Sequence, residues 1–281
     1  MVPGLSIIFS LITLILSLVL PVLLAVWFCR KYKAPATTVL LGALTFLVFQ
    51  LVLRLPLLQI LNPYYPGTES TSEGWNLVLY SAFLAVTAAL FEEGGRVLIY
   101  KLFLRKKGDW TNAVAFGIGH GGFEAMSLIG LTYISNLVLM ILINMGIMGL
   151  SDNELMNQAI QLLIQTSPWM FLLAGVERLF AMILHIGFSV LVVYGLASRR
   201  YQFVFYAFLA HFVLNFPLAF LQKLPGGIFL TMAFIGVMAL FSVYWIVRVS
   251  PSLFRKLQPE SEIVNEQLPG KQEIKQEDKN Y

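Results

Sequence analysis

The sequence is poor in charged residues and has almost no cysteine. Only 12% of its 281 residues are Asp, Glu, Lys or Arg, whereas soluble domains have about a quarter. Its single cysteine, Cys29, excludes an intrachain disulfide and a cysteine-based zinc site. No basic cluster interleaved with aromatic residues occurs in a polar domain, so nucleic acid is not an expected partner. These scarcities predict a polytopic membrane protein in contact with a lipid bilayer.

The hydrophobic residues, 58% of the chain, gather in long runs. A membrane-spanning helix needs about 20 apolar residues, which predicts an all-α bundle of about seven transmembrane helices. The predicted spans are 5–29, 36–61, 75–103, 112–149, 168–197, 201–222 and 226–249. A break at the glycines near 119–122 would divide the fourth span and give eight helices. The first span follows no basic segment and is too long for a signal-peptide core, so we expect no cleavage.

The loops differ in charge, which predicts an orientation. Lys and Arg concentrate in the connections at 30–33, 101–107 and 199–200, whereas those around Glu69 and Asp152 contain neither. Because cytoplasmic loops carry an excess of Lys and Arg, we expect the N-terminus outside and the C-terminus in the cytoplasm. This alternation requires 112–149 to cross once. Residues 1–249 then form one transmembrane domain, and the polar residues 250–281 form a disordered cytoplasmic tail.

All three histidines lie inside apolar runs, at His120, His185 and His211. Together with Glu92 they occupy four different helices, each roughly 13–18 Å from the basic end of its span. Ionisable side chains in a membrane are rare and usually face the protein interior. Their shared depth predicts one buried site, which we expect to be reachable from the cytoplasmic side.

Three of these four residues have a charged or amide partner on the same helix face, because residues i and i+4 are neighbours. The pairs are Glu92 with Arg96 in FEEGGR, His120 with Glu124 in HGGFE, and His211 with Asn215 in HFVLN. Such a set could bind zinc through three protein ligands and a water. It could equally activate water without a metal, using Glu as base and His or Asn as oxyanion donors. The HEXXH helix of soluble zinc proteases is absent from the sequence.

FEEGGR, FGIGH and HFVLN, in this order on separate membrane helices, resemble the three motifs of the CPBP family of intramembrane proteases. The resemblance covers about residues 75–220 and is closest to the bacterial YhfC-type branch of intramembrane metalloproteases. It implies an endopeptidase of the bacterial cell membrane that hydrolyses a peptide or membrane-protein substrate with the help of a divalent metal, most simply zinc.

The resemblance also implies roles for individual residues. Glu92 or Glu93 would be the general base, and His120 would be its partner or a metal ligand. His211 and Asn215 would be a metal ligand or oxyanion donors. The family usually has three residues between Glu-Glu and Arg, whereas FEEGGR has two, so we expect Arg96 to pair with Glu92 rather than Glu93.

Several residues have open alternatives. His185 belongs to no motif and is either an additional metal ligand or a packing histidine. Glu124 is either a ligand or a hydrogen-bond acceptor for an imidazole. Arg54 is expected at the outer interface or paired with an acid. Glu177 and Arg178 are expected to pair with each other or to line a cavity.

Two other classes of function are compatible with the same residues. A proton-coupled transporter could use Glu and His as a relay, but the sequence shows no second glycine-broken segment that would match a repeat. A non-catalytic immunity protein or membrane chaperone could retain a protease scaffold.

Overall fold

The computed structural model describes residues 1–61, 74–150 and 153–257. All regular structure in these ranges is helical, and seven helices are long and apolar enough to cross a membrane. We number them with one short helix, α5, in chain order. The seven are α1 Gly4–Tyr32, α2 Ala36–Leu61, α3 Gly74–Leu104, α4 Trp110–Asn144, α6 Pro168–Ala197, α7 Gln202–Leu221 and α8 Gly227–Arg255. The predicted all-α membrane bundle of seven transmembrane helices is confirmed.

The fourth span is a single continuous helix. Helix α4 passes through Gly119–Gly122 without a break and contains a π-helical stretch at Ala125–Gly130, directly after Glu124. It ends at Asn144, five residues before the predicted boundary. A short amphipathic helix, α5 Glu154–Gln165, then leads into α6. No eighth spanning helix arises from this segment.

The last helix extends beyond its predicted end. Helix α8 runs to Arg255, and Phe254 is buried against the bundle. The indole of Trp110 donates to Ile246 O and Ser250 Oγ, at 3.0 Å each. This packing holds 250–255 in a helix, so the segment predicted as a tail begins with helical residues. Residues 258–281, which make up the rest of that predicted tail, lie outside the described residues.

Helix α4 lies at the centre of the bundle because glycines let its neighbours approach closely. Every residue from Asn112 to Gly122 is buried. A Cβ on Gly117 would lie 2.5 Å from Ile186 Cα of α6, and one on Gly119 would lie 1.9 Å from Val39 O of α2. Small residues allow this contact in membrane helices, where tight packing and not hydrophobicity drives association. The glycines around His120 therefore serve helix packing and fix the position of that imidazole.

Helix α1 reaches the bundle through a stripe of small polar residues. Ser6, Ser10, Thr13 and Ser17 are fully buried and recur every three or four residues. The hydroxyl of Thr13 donates to Phe171 O of α6 at 2.6 Å, next to Gly175. A hydroxyl bonded to a backbone carbonyl leaves no unsatisfied donor in the membrane. Helix α6 is thus enclosed on several sides, and it carries His185 into the interior.

The close packing of α4 predicts a sharp difference between two glycine substitutions. Gly119→Ala places a methyl group against the backbone of Val39, so we expect a loss of about 1–3 kcal/mol or more of stability. Gly94→Ala is the matched control, because a Cβ there meets nothing within 4 Å, and alanine favours a helix. Thermal unfolding in detergent should show a lower midpoint for the first variant only. Equal midpoints would contradict the central placement of α4.

Candidate metal centre

The carboxylate of Glu92 is surrounded by three imidazoles from three other helices. Its Oε2 lies 3.1 Å from Nε2 of His120 and 3.6 Å from Nδ1 of His185. Its Oε1 lies 3.9 Å from Nε2 of His211. All four side chains are at least nine-tenths buried. The residues that share a depth in the sequence thus meet at one point, and His185 is part of that centre.

Two of the three imidazoles are held from behind by a carboxylate. Nε2 of His185 lies 2.5 Å from Oε2 of Glu124, and Nδ1 of His211 lies 2.8 Å from Oε1 of Glu93. In a neutral ring the nitrogen that donates to a carboxylate carries the proton, and the other nitrogen presents a lone pair. The lone pairs of His185 and His211 therefore lie on the side of Glu92, and that of His185 accepts from Arg96 at 2.7 Å. Metal-binding histidines are commonly oriented in this way by a carboxylate on the far nitrogen.

Arg96 pairs primarily with Glu93, which corrects the expected pairing with Glu92. Its guanidinium makes a close ion pair with Glu93, whereas its nearest contact with Glu92 is 3.9 Å. It also contacts Nδ1 of His185 at 2.7 Å and Ser189 Oγ at 3.2 Å. Both i+3 and i+4 neighbours share a helix face, so spacing alone could not decide between the two acids. Of the two adjacent acids, Glu92 lines the cavity and Glu93 does not.

Glu124 lies behind His185 and continues into a second ion-pair network. Its Oε1 accepts from Arg178 at 2.9 Å, and Arg178 also makes a bidentate contact with Glu177. The ligand atoms close enough to share a metal are those of Glu92, His120 and His185, a group that leaves out both His211 and Glu124. Its position suits the orientation of His185 better than direct ligation. Glu177 and Arg178 line the cavity as a pair, which is one of the arrangements expected from the sequence.

The charges of the connected cluster do not balance. Contacts of 4.0 Å or less join four carboxylates and two guanidinium groups through the histidines. With neutral imidazoles this leaves two more negative than positive charges among the groups in contact, and Arg54, farther along the same cavity, offsets part of this excess. Uncompensated buried charge is costly, and such groups take up protons or bind a cation. A divalent cation would neutralise this excess.

The donor atoms also suit a transition metal. Glu92, His120 and His185 each offer a ligand atom, and these atoms lie within 4.8 Å of one another. Imidazole nitrogens with a carboxylate oxygen are donors that zinc accepts. Nδ1 of His120 and Oε2 of Glu93 are buried without a hydrogen-bond partner among the described residues. The residues present therefore fit a divalent metal with nitrogen and oxygen ligands.

The cavity above this centre opens on the side opposite to the one expected. A cavity of about 640 Å³ has Glu92, His185 and His211 at its floor and reaches Leu77 and Lys223 near the helix ends. Those ends lie opposite the basic connections at 101–107 and 199–200. The expected access from the side of the basic connections is therefore wrong for this cavity. Depth along a helix could be read from the sequence, but the direction in which neighbouring helices separate could not.

Asn215 lines the same cavity one turn from His211. The cavity also exposes polar residues that sequence reasoning placed elsewhere or missed. Arg54 is buried and does not lie at the interface, and its guanidinium donates to Thr87 Oγ1 at 3.2 Å and Leu84 O at 2.9 Å. Gln50, one turn before it, faces the same space. A polar pair at i, i+4 within the apolar run 36–61 was the available signal for this second polar region.

The described residues form a helical membrane bundle, with a buried Glu–His–Arg cluster beneath an open cavity. The protein is therefore a polytopic membrane protein with a candidate metal centre. Comparison with known sequences refines that class. The chain belongs to the family described as YhfC intramembrane metalloprotease, whose family model matches residues 16–241. That range includes every residue of the centre.

The chain is similar to a curated protein of Bacillus subtilis (strain 168), "Uncharacterized membrane protein YhfC". The two are 35% identical over 247 residues, which cover 83% of this chain and 92% of the relative. No solved structure matches the chain.

Proposed function

We propose that the chain is a metal-dependent intramembrane endopeptidase that hydrolyses peptide bonds at the floor of its cavity. One observation carries the proposal. Three imidazole nitrogens from three helices converge on the Glu92 carboxylate, in a buried cluster whose four carboxylates outnumber its two guanidinium groups. A packing role for the histidines would not require their inner nitrogens to face one carboxylate.

His120, His185 and His211 would hold the metal, because catalytic zinc sites commonly use three protein ligands. Zinc would supply a Lewis acid that polarises the scissile carbonyl. The contact of Arg96 with Nδ1 of His185 would be replaced, and Arg96 would keep Glu93 and Ser189 as partners.

Glu92 would act as the general base. It lines the cavity and lies between the imidazoles, so it can take the proton of an attacking water and deliver it to the leaving amine. Glu93 is engaged by Arg96 and His211 and would hold those groups in place. Asn215 would donate a hydrogen bond to the developing oxyanion from its position beside His211.

The walls of the cavity would select an apolar segment. Between the centre and the mouth, α3 presents Leu84, Ala85 and Ala88, and α7 presents Leu214 and Leu218. A peptide or a segment of a membrane protein could enter beside Lys223. With the orientation predicted from loop charge, that entrance faces the outer side of the cell membrane.

Metal removal tests this proposal directly. We expect protein purified in detergent to contain about one divalent metal per chain and to cleave members of a quenched fluorogenic library of apolar seven-residue peptides. A chelator such as 1,10-phenanthroline should abolish cleavage, and added zinc should restore it, because the histidines lose and then regain their metal.

Proteolysis in cells tests the proposed activity without a chosen substrate. New N-termini in membranes should differ between cells that express the wild type and cells that express Glu92→Gln. Identical sets of N-termini, together with no cleavage of any library peptide by zinc-loaded protein, would overturn the proposed activity.

A further inference from the structure

Arg54 is a buried cation without an acidic partner among the residues that the structure describes. Only 7% of its surface is exposed, and it lines the cavity. Its two hydrogen bonds go to neutral oxygens, the hydroxyl of Thr87 and the carbonyl of Leu84. A guanidinium has five N–H donors, so three remain for another partner. No carboxylate in the described ranges lies within 4.0 Å of it, unlike Arg96 and Arg178.

Two further polar atoms beside Arg54 also have no partner within the described part of the chain. They are Oε1 of Gln50, four residues before Arg54, and Oγ of Ser81, three residues before Leu84. Both residues line the cavity. An unsatisfied buried polar atom costs roughly 1–3 kcal/mol, so two such atoms beside a guanidinium with unused donors indicate that something polar fills the space. The hydroxyl and the guanidinium are donors, whereas the amide oxygen is an acceptor.

The cavity thus has a second polar region, separate from the metal centre. On α3, Glu92 lies eight residues after Leu84 and five after Thr87, rises of about 12 and 8 Å. Ala85 and Ala88 lie between Leu84 and Glu92 on the same face, and their small side chains leave the passage open. Arg54 therefore faces the same passage as Glu92 and acts on it electrostatically, but it makes no ion pair with the cluster of carboxylates and histidines.

We infer that Arg54 and Ser81 form a subsite for a carboxylate of the peptide substrate, with Gln50 accepting a peptide N–H beside it. The inference rests on the proposed function, since it names the chemistry of that function's substrate. Arg is suited to this task because its planar donors match the two oxygens of a carboxylate. The carboxylate is either the C-terminus of the peptide or an Asp or Glu side chain, and both present the same group.

The spacing fixes where the carboxylate should be. An extended chain advances about 3.3–3.6 Å per residue, so about 8–12 Å corresponds to two to four residues between the carboxylate and the cleaved bond. Because Arg54 makes no ion pair with Glu92, its contribution should appear mainly in binding and KM, with a smaller change in kcat through its electrostatic effect on Glu92.

Binding of defined peptides tests the subsite without requiring hydrolysis. The probes are N-terminally fluorescein-labelled apolar octapeptides with a free C-terminus, with a C-terminal amide, or with an amide plus one Glu placed along the chain. Fluorescence anisotropy with wild-type protein and with Glu92→Gln should show about 10-fold tighter binding for at least one carboxylate form than for the plain amide. The arm that binds tighter identifies the source of the carboxylate.

Variants separate a specific pairing from general attraction. Arg54→Gln should remove the preference for the carboxylate, Arg54→Lys should retain part of it, and Ser81→Ala should weaken it. Lys223→Gln, which removes an exposed positive charge at the cavity mouth, should leave the preference in place because exposed charges are screened. If Arg54→Gln does not fold, comparing the binding of acid and amide peptides to the wild type and to Ser81→Ala still tests the subsite.

Equal binding of acid and amide peptides by folded wild-type protein would overturn the subsite. Cleavage of peptides with no carboxylate preference would reject the subsite and leave the proposed function standing. A carboxylate preference that depends on Arg54, without any metal-dependent cleavage, would reject the proposed function and leave the subsite standing.

Discussion

Replacement of Glu92 by Gln is expected to reduce the rate of peptide hydrolysis by about 10²–10⁴-fold, the contribution typical of a positioned general base. Glutamine keeps the shape of the side chain but cannot accept the proton of an attacking water. The metal should remain bound at wild-type stoichiometry, because the three imidazoles supply the ligands. Initial cleavage rates and metal content of the purified variant measure the two effects separately.

Two other glutamates give contrasting controls for this variant. Glu93→Gln leaves Arg96 without its closest acidic partner in a buried site, and breaking a buried pair costs about 3–5 kcal/mol. We therefore expect Glu93→Gln to lower the unfolding midpoint more than Glu92→Gln does. Glu154→Gln, on the exposed start of α5, should change neither stability nor cleavage.

The results that would contradict this assignment are distinct. Full cleavage by Glu92→Gln would remove Glu92 from the reaction. Loss of the metal together with cleavage would make Glu92 a ligand, so another group would have to take the proton. Restoration of cleavage by Glu92→Asp with an altered KM but little change in kcat would also argue against a base, since Asp draws the carboxylate back from the centre.

The positions of the membrane-spanning helices follow from hydropathy almost completely. The predicted ranges 36–61 and 168–197 coincide with helices α2 and α6 residue for residue. The helices could be found because each needs a long apolar run to satisfy its backbone inside the membrane. The end of α8 was placed too early because 250–255 is polar and is held by its contact with Trp110.

The site could be predicted at the level of depth but not of direction. Glu92, His120 and His211 share a level in the bundle, and this alone predicts that they meet. Which face of each helix turns inward depends on packing, and α4 around His120 is buried on all sides, so its sequence contains no amphipathic signal. The place of Glu124 behind His185, and the opening of the cavity beside Lys223, depend on that packing.

His185 gives the clearest test of the metal centre, because no motif of the sequence required it. Its inner nitrogen faces Glu92 at 3.6 Å and its outer nitrogen is held by Glu124 at 2.5 Å. We expect His185→Ala to lose the bound metal and with it the cleavage activity. Glu124→Gln keeps the ring but loses the carboxylate that orients it, so metal affinity should fall by about 10–100-fold.

Thermal unfolding with and without zinc distinguishes a lost ligand from a poorly folded variant. Binding to the native state stabilises it in proportion to the logarithm of metal concentration over Kd. The wild-type midpoint should therefore rise when zinc is added, that of Glu124→Gln should rise only at higher zinc concentration, and that of His185→Ala should not move. A packing histidine would behave differently, since His185→Ala would lower the midpoint yet keep the full zinc-dependent rise. That result would reduce the centre to Glu92, His120 and His211 and would leave the carboxylate behind His185 without a role in metal binding.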